Sequence, residues 1–166
     1  MSQPRPDPVQ PADDNARSLA RKLLSEATHA ALAYTDPATA APGISRIAFG
    51  LCPAYQPMTL VSALSAHHAA LTTHPEAALM VGEVGDKGDP LTHPRLMLRV
   101  RASFIDRKSP DHPALRDHWL LGHPKARLYI DFADFALVRL QPVSALLNGG
   151  FGKAFRLEVE DLLPPT

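Results

Sequence analysis

The sequence has a single cysteine, Cys52, in 166 residues, so it holds no internal disulfide. A lone thiol fits a reducing compartment. There is no excess of charge of either sign, with Lys plus Arg and Asp plus Glu at 17 each. That excludes the broad basic field by which a domain attracts nucleic acid or an anionic membrane. No apolar run approaches the roughly 18 residues of a membrane span. No apolar segment follows the first ten residues as it would in a secretory leader. The expectation is a soluble cytoplasmic protein with neither a nucleic-acid nor a membrane partner.

Catalytic signatures are scarce as well. There is no Gly-x-Ser-x-Gly elbow, and Gly82-Glu83-Val84-Gly85-Asp86-Lys87-Gly88 lacks the Ser or Thr that would close a phosphate loop. Four of the eight histidines (His74, His93, His112, His123) directly precede proline, and His67 and His68 are adjacent. No His-x3-His or Cys-x2-Cys pair exists, so no metal site is expected. No side chain stands out as acid, base or nucleophile, and the catalytic residues are unassigned.

What is present suits one domain with an ordinary core: 45% of residues are hydrophobic and 20% charged. The 17 prolines belong in loops, strand starts and first helical turns. Residues 1–11, rich in Pro and Gln, read as a disordered tail, and 12–166 as a single domain. Asp13 or Asp14 caps a helix running to about Glu26, with Leu19, Leu23, Leu24 and Ala27 at helical spacing. Strands are expected over 29–35, 44–51, 58–62, 77–84, 95–105, 127–132 and 135–147, and short helices over 65–73 and 111–121. Strands 44–51 and 58–62 read as a hairpin. His74-Pro75 and His123-Pro124 read as one local device, a helix stop followed by a strand. Six or seven strands with hairpin-length links and no alternating βα units predict a mainly β antiparallel barrel.

The stretch 58–82 is the most informative. A strand ends on Ser62, and free amides open the helix that follows. Hydroxyl and amides together suit an anion, and Arg46 reaches the same region if its strand pairs with 58–62. A turn residue and a solvated arginine are the plainer readings of these two. A second unusual piece is Leu147 to Phe155. Its three glycines allow close backbone approach, and Phe151 is placed either to cover a flat ring or simply to anchor a loop.

Several pieces in order resemble the pyridoxamine 5′-phosphate oxidase-like, FMN-binding split-barrel family, in particular its haem-utilisation-type branch. They are Gly43-Ile44-Ser45-Arg46-Ile47-Ala48, Leu60-Val61-Ser62-x-Leu64-x-x-His67, His74-Pro75-x-Ala77-x-Leu79 and Gly88-Asp89-Pro90-Leu91-x-His93-Pro94-Arg95-Leu96. His123-Pro124-Lys125-Ala126, Asp131-Phe132-x-Asp134-Phe135 and Asn148-Gly149-Gly150-Phe151-Gly152 complete the set. The resemblance spans roughly residues 15 to 158. It implies a six-stranded split barrel that forms a homodimer with FMN at the interface. Arg46, Ile47 and Ala48 would lie along the flavin or its phosphate. Ser62, His67 and His68 would hold the phosphate, Arg95 would lie near the ring, and Asn148 would approach from the late strand.

The chain departs from the pattern in two places. His68 and Ala69 stand where the family usually has Thr and a basic residue, which removes a hydroxyl donor and a charge from the phosphate corner. The haem-utilising relatives also carry a further C-terminal domain that this chain is expected to lack. Pyridoxamine phosphate oxidase activity itself is not expected, because no arginine-rich C-terminal segment is found. The resemblance implies an FMN-dependent oxidoreductase of unknown substrate. The alternatives are a haem- or tetrapyrrole-binding or non-catalytic module that has lost flavin affinity, with His67, His68 or His93 as axial ligand, and a cofactor-free dimeric scaffold.

Overall fold

The computed structural model describes residues 8–150 and 152–165. Its strands are β1 (Val9–Pro11), β2 (His29–Thr35), β3 (Pro42–Ala48), β4 (Gly50–Leu51), β5 (Pro57–Ser62), β6 (Glu76–Val81), β7 (Arg95–Phe104), β8 (Phe135–Asn148) and β9 (Ala154–Leu157). Three helices, α1 (Asp14–Glu26), α2 (Ala66–Thr73) and α3 (His112–Gly122), lie between them. Six strands run in the order β3-β2-β6-β7-β8-β5, every neighbour antiparallel. This is the mainly β split barrel that the sequence predicts. The short strands β1, β4 and β9 carry the sheet beyond six.

Alternation builds the barrel. Leu96, Leu98, Val100 and Ala102 of β7 turn inward with Leu79 and Val81 of β6 and Ala30 and Leu32 of β2. Helix α1 closes this core with Ala16, Ala20 and Leu24, and Leu19, Leu23 and Ala27 flank them half-buried. Its cap is Asp13, whose carboxylate accepts the Ala16 amide at 2.7 Å. A second, smaller core lies under α3, where Leu115, Trp119 and Leu120 meet Met58, Ile105 and Leu137.

Strand β8 branches the sheet. Its first residues pair with β5 and its last with β9, while β7 runs along both. Register slips between Arg99 and Val100, opposite Ser144 and Pro142, and leaves Val143 as the extra residue of a bulge. Pro142 has no amide to give the ladder there. β6 ends before Gly82, where only glycine suits, because φ is +122 and a Cβ would lie 2.5 Å from the Pro94 carbonyl oxygen.

Four sequence expectations are corrected. β3 pairs with β2 and not with 58–62; only Gly50 and Leu51 pair with β5. Residues 127–132 form no strand. Pro124–Leu128 is a 3-10 turn, and the Arg107 guanidinium takes the carbonyls of Ile130, Asp131 and Phe132. His123-Pro124 therefore leads into a turn, whereas His74-Pro75 leads into β6. Lastly, Val9–Pro11 is not a disordered tail but a strand parallel to β9. It lies at the sheet edge, where Pro11 is tolerated.

The barrel's seam is held by one buried hydroxyl. Thr59 is fully buried, and its Oγ1 donates to the Ala48 carbonyl at 2.6 Å, joining β5 to the end of β3. Thr59→Val keeps the shape and removes the donor. We expect a loss of about 1–2 kcal/mol, read as a lower urea midpoint with an unchanged slope. A wild-type midpoint would show that the seam is held elsewhere.

Candidate functional site

The outward residues of β3, β2, β6 and β7 make a continuous face. Arg46 lies opposite Ala31, Ala31 opposite Met80 and Met80 opposite Met97. The adjacent row runs Ile44, Ala33, Ala78, Arg99. Ile44 is 72% and Met80 46% exposed, and the alanines between them keep the floor flat. Arg46 and Arg99 are exposed at its two sides. A cavity of about 400 Å³ on this face is lined by Ala31, Ser45, Arg46, Met80, Gly82 and Glu83. Its rim carries the His29–Glu83 pair at 2.8 Å. An apolar floor with arginine walls suits a flat anionic molecule.

A cleft of about 520 Å³ lies elsewhere, between α1, β4 and α3. We do not place the site there. Its histidines are spent on the fold: His118 Nε2 bonds the Leu51 carbonyl at 2.9 Å, and His123 stacks on Trp119 at 4.0 Å. It also holds none of the eight residues singled out from the sequence.

Those eight residues fall into three places. Arg46 points outward on β3, while the Ile47 side chain is buried in the core, so Ile47 can offer a ligand only its backbone. Ala48 spends its carbonyl on Thr59. The second place is the corner between β5 and α2. Ser62 Oγ donates to the Asp134 carboxylate at 2.8 Å and accepts the Leu64 amide at 3.2 Å. The Ala63 amide bonds the Asp134 carbonyl, and the Ser65 amide and hydroxyl both bond the Ser62 carbonyl. The amides of Ala66 and His67 remain without a hydrogen-bond partner among the described residues.

His67 lies 6.3 Å from the Tyr34 ring, and His68 packs edge-on against Phe104 at 4.9 Å. Burial, and secondarily the neighbouring His68, push the His67 imidazole below its ordinary pKa, so it is neutral at pH 7. Tyr34 crosses Gly43 so closely that a Cβ there would lie 2.5 Å from its ring.

Arg95 and Asn148 form the third place. They are register partners, with Arg95 donating to the Leu91 carbonyl at 3.0 Å and Asn148 Oδ1 accepting the Gly150 amide at 3.1 Å. They lie at the first end of β7, and His68 sits on Phe104 at its other end. Ten residues of strand span about 30 Å. Within one chain, then, the third place and the α2 corner cannot touch one flavin. Phe151 lies outside the described residues.

Sequence reasoning missed Asp134 and Arg107. Arg107 clamps the loop before β8 through the carbonyls of Ile130, Asp131, Phe132 and Phe135. Asp131 is held below the usual carboxylate range, chiefly by Arg116, which bonds both its oxygens. Asp131 and Asp134 stand in one of the motifs quoted above, but nothing local shows that Asp134 reaches Ser62.

His93, counted as a haem ligand from sequence, has both ring nitrogens engaged. Nδ1 accepts the Gly85 amide at 3.2 Å, so Nε2 carries the proton given to the Lys87 carbonyl at 2.9 Å. No group of three or more His, Cys, Asp or Glu is placed to hold a metal among the described residues. No helix among them is long and apolar enough to cross a membrane.

No family model matches the chain. It is 28% identical, over 99 residues, to the chloroplastic non-canonical heme oxygenase HOZ of Arabidopsis thaliana, covering 60% of this chain and 29% of that protein. The protein Atu2129 of Agrobacterium tumefaciens, of unknown function, is 30% identical, with a TM-score of 0.80 over 99% of this chain and 65% of its own. A heme binding protein of Mycobacterium smegmatis shares the fold at 24% identity and a TM-score of 0.81, over 91% of this chain and 61% of its own. This chain thus spans less than two thirds of the length of each. The fold alone is shared with a Clostridium acetobutylicum protein of the pyridoxinephosphate oxidase family, at 12% identity and a TM-score of 0.65 over 92% of this chain and 100% of its own. It is also shared with a FAD-binding protein of Mesorhizobium loti, at 13% identity and a TM-score of 0.62 over 81% of this chain and 92% of its own.

Proposed function

We propose that the chain, whose fold is that of the pyridoxamine 5′-phosphate oxidase-like split barrels, is a member of that family and an FMN-binding flavoprotein acting as a homodimer. The observation that carries this reading is the exposed face of Ile44, Ala31, Ala33, Met80 and Met97 beside Arg46 and Arg99. Its apolar floor fits an isoalloxazine ring, and Arg46 supplies a cation for the ring's polar edge or the phosphate. A second copy on this face would also account for the three separated places. A two-fold axis through this face would bring one chain's Arg95 and Asn148 toward the partner's α2 corner, so one flavin would meet residues of both.

Bound FMN would supply hydride or electron transfer, and the protein would hold and orient it. The apolar floor would exclude water from one ring face, and the partner would cover the other. No acid or base on this face is needed for such a role, so we assign an oxidoreductase of undefined substrate.

The test is the visible spectrum of the purified protein with and without added FMN, read beside its solution mass. We expect flavin bands, one FMN per chain, and a dimer. A colourless protein that ignores FMN would sink the reading. Tetrapyrrole binding is the second reading, favoured by His67, half-buried, neutral and next to Tyr34. A Soret band on haem addition that is lost in His67→Ala, with no flavin bound, would put it first.

A further inference from the structure

The Ser62 corner does not fit a phosphate dianion as it stands. The hydroxyl's one hydrogen goes to the Asp134 carboxylate at 2.8 Å, so Ser62 has no proton left for an anion. Three of the local donors, the amides of Ala63, Leu64 and Ser65, are used within the turn and its neighbour, which leaves an anion only the amides of Ala66 and His67. The charge there is the carboxylate's, His67 is neutral, and position 69 holds alanine. Arg107, which reaches across from the segment between β7 and α3 to clamp the loop carrying Asp134, is committed to four carbonyls.

We propose that Asp134 is a specificity-determining residue that turns this corner against a phosphate and keeps the flavin site tolerant of the unphosphorylated vitamin. The proposal rests on the flavin reading above. Asp134 is carried at the start of β8, one residue before the Phe135–Ser62 register pair, so the barrel itself fixes the carboxylate against the hydroxyl. A phosphate entering here must displace a charge-assisted hydrogen bond and then sit beside a like charge. A ribityl hydroxyl has neither problem, since it can donate to the same carboxylate. Neutralising Asp134 removes that like charge and frees the Ser62 hydroxyl to turn.

The experiment is titration of FMN and riboflavin, by flavin fluorescence, into the wild-type chain, Asp134→Asn and Ala69→Arg. In the wild type we expect FMN and riboflavin to bind within about threefold of each other, a difference of under about 1 kcal/mol. In Asp134→Asn, FMN should bind about tenfold tighter while riboflavin stays where it was. Ala69→Arg, on the exposed side of α2, should favour FMN in the same direction without touching the Ser62–Asp134 bond, and Asp134→Ser, which also removes the carboxylate, takes the place of Asp134→Asn if the latter does not fold. An unchanged FMN-to-riboflavin ratio in folded Asp134→Asn overturns the role of Asp134 while leaving the flavin reading intact. If neither flavin binds any of the three proteins, both are overturned.

Discussion

Met80→Arg is expected to convert the proposed dimer into a monomer and to abolish the proposed flavin binding together with it. Met80 lies at the centre of the outward face, between Ala31 and Met97, and is 46% exposed in one chain. A guanidinium there would enter the face already bordered by Arg46 and Arg99, and a two-fold contact would double every like charge. Juxtaposed like charges at an interface cost several kcal/mol. The dimer affinity should therefore fall by at least about a hundredfold. FMN bound between copies should be lost in proportion. The fold of the single chain should stand, because a surface change away from the core costs about 0.5 kcal/mol or less. Light scattering reads the mass, circular dichroism the fold and flavin fluorescence the site. A Met80→Arg protein that stays dimeric and yellow would place the interface on another surface. One that is monomeric yet binds FMN would show that the site is complete in one chain.

The sequence shows some of this and hides the rest for definite physical reasons. The inward set Leu96, Leu98, Val100 and Ala102 is legible because a strand buried on one face repeats every two residues. Asp13 is legible as a cap because capping is local. The stretch 127–132, Arg-Leu-Tyr-Ile-Asp-Phe, also alternates like a strand, yet Arg107, some twenty residues earlier, takes the carbonyls a ladder would need. Strand β9 is four residues without a β-branched side chain, and only its partners β8 and β1 define it. The same distinction runs through the site. Ser62 and the start of α2 can be seen as a donor-rich corner, since strand-to-helix junctions are local. That Asp134 fills the corner follows from β5 pairing with β8, a contact between residues more than seventy positions apart.

Leu98→Ala tests the barrel on which that face is built. Leu98 is fully buried, pairs with Leu79 on one side and Ala145 on the other, and belongs to the inner cluster. Removing three carbons there opens a cavity between strands whose backbones are fixed by two ladders, so the walls cannot collapse far. The expected loss is about 3–4 kcal/mol, within the range for buried leucines. A domain of this size has about 5–15 kcal/mol in all, so the urea midpoint should fall by at least about a fifth. The next residue is the control. Arg99 faces outward and is exposed, so Arg99→Ala should move stability by no more than about 0.5 kcal/mol. It should weaken flavin binding, where Leu98→Ala at temperatures below its unfolding should not. Equal losses of stability from the two would mean that the alternation of β7 is not what separates core from site. A large difference in stability with the opposite order of effect on flavin would locate the two functions of this strand on its two faces.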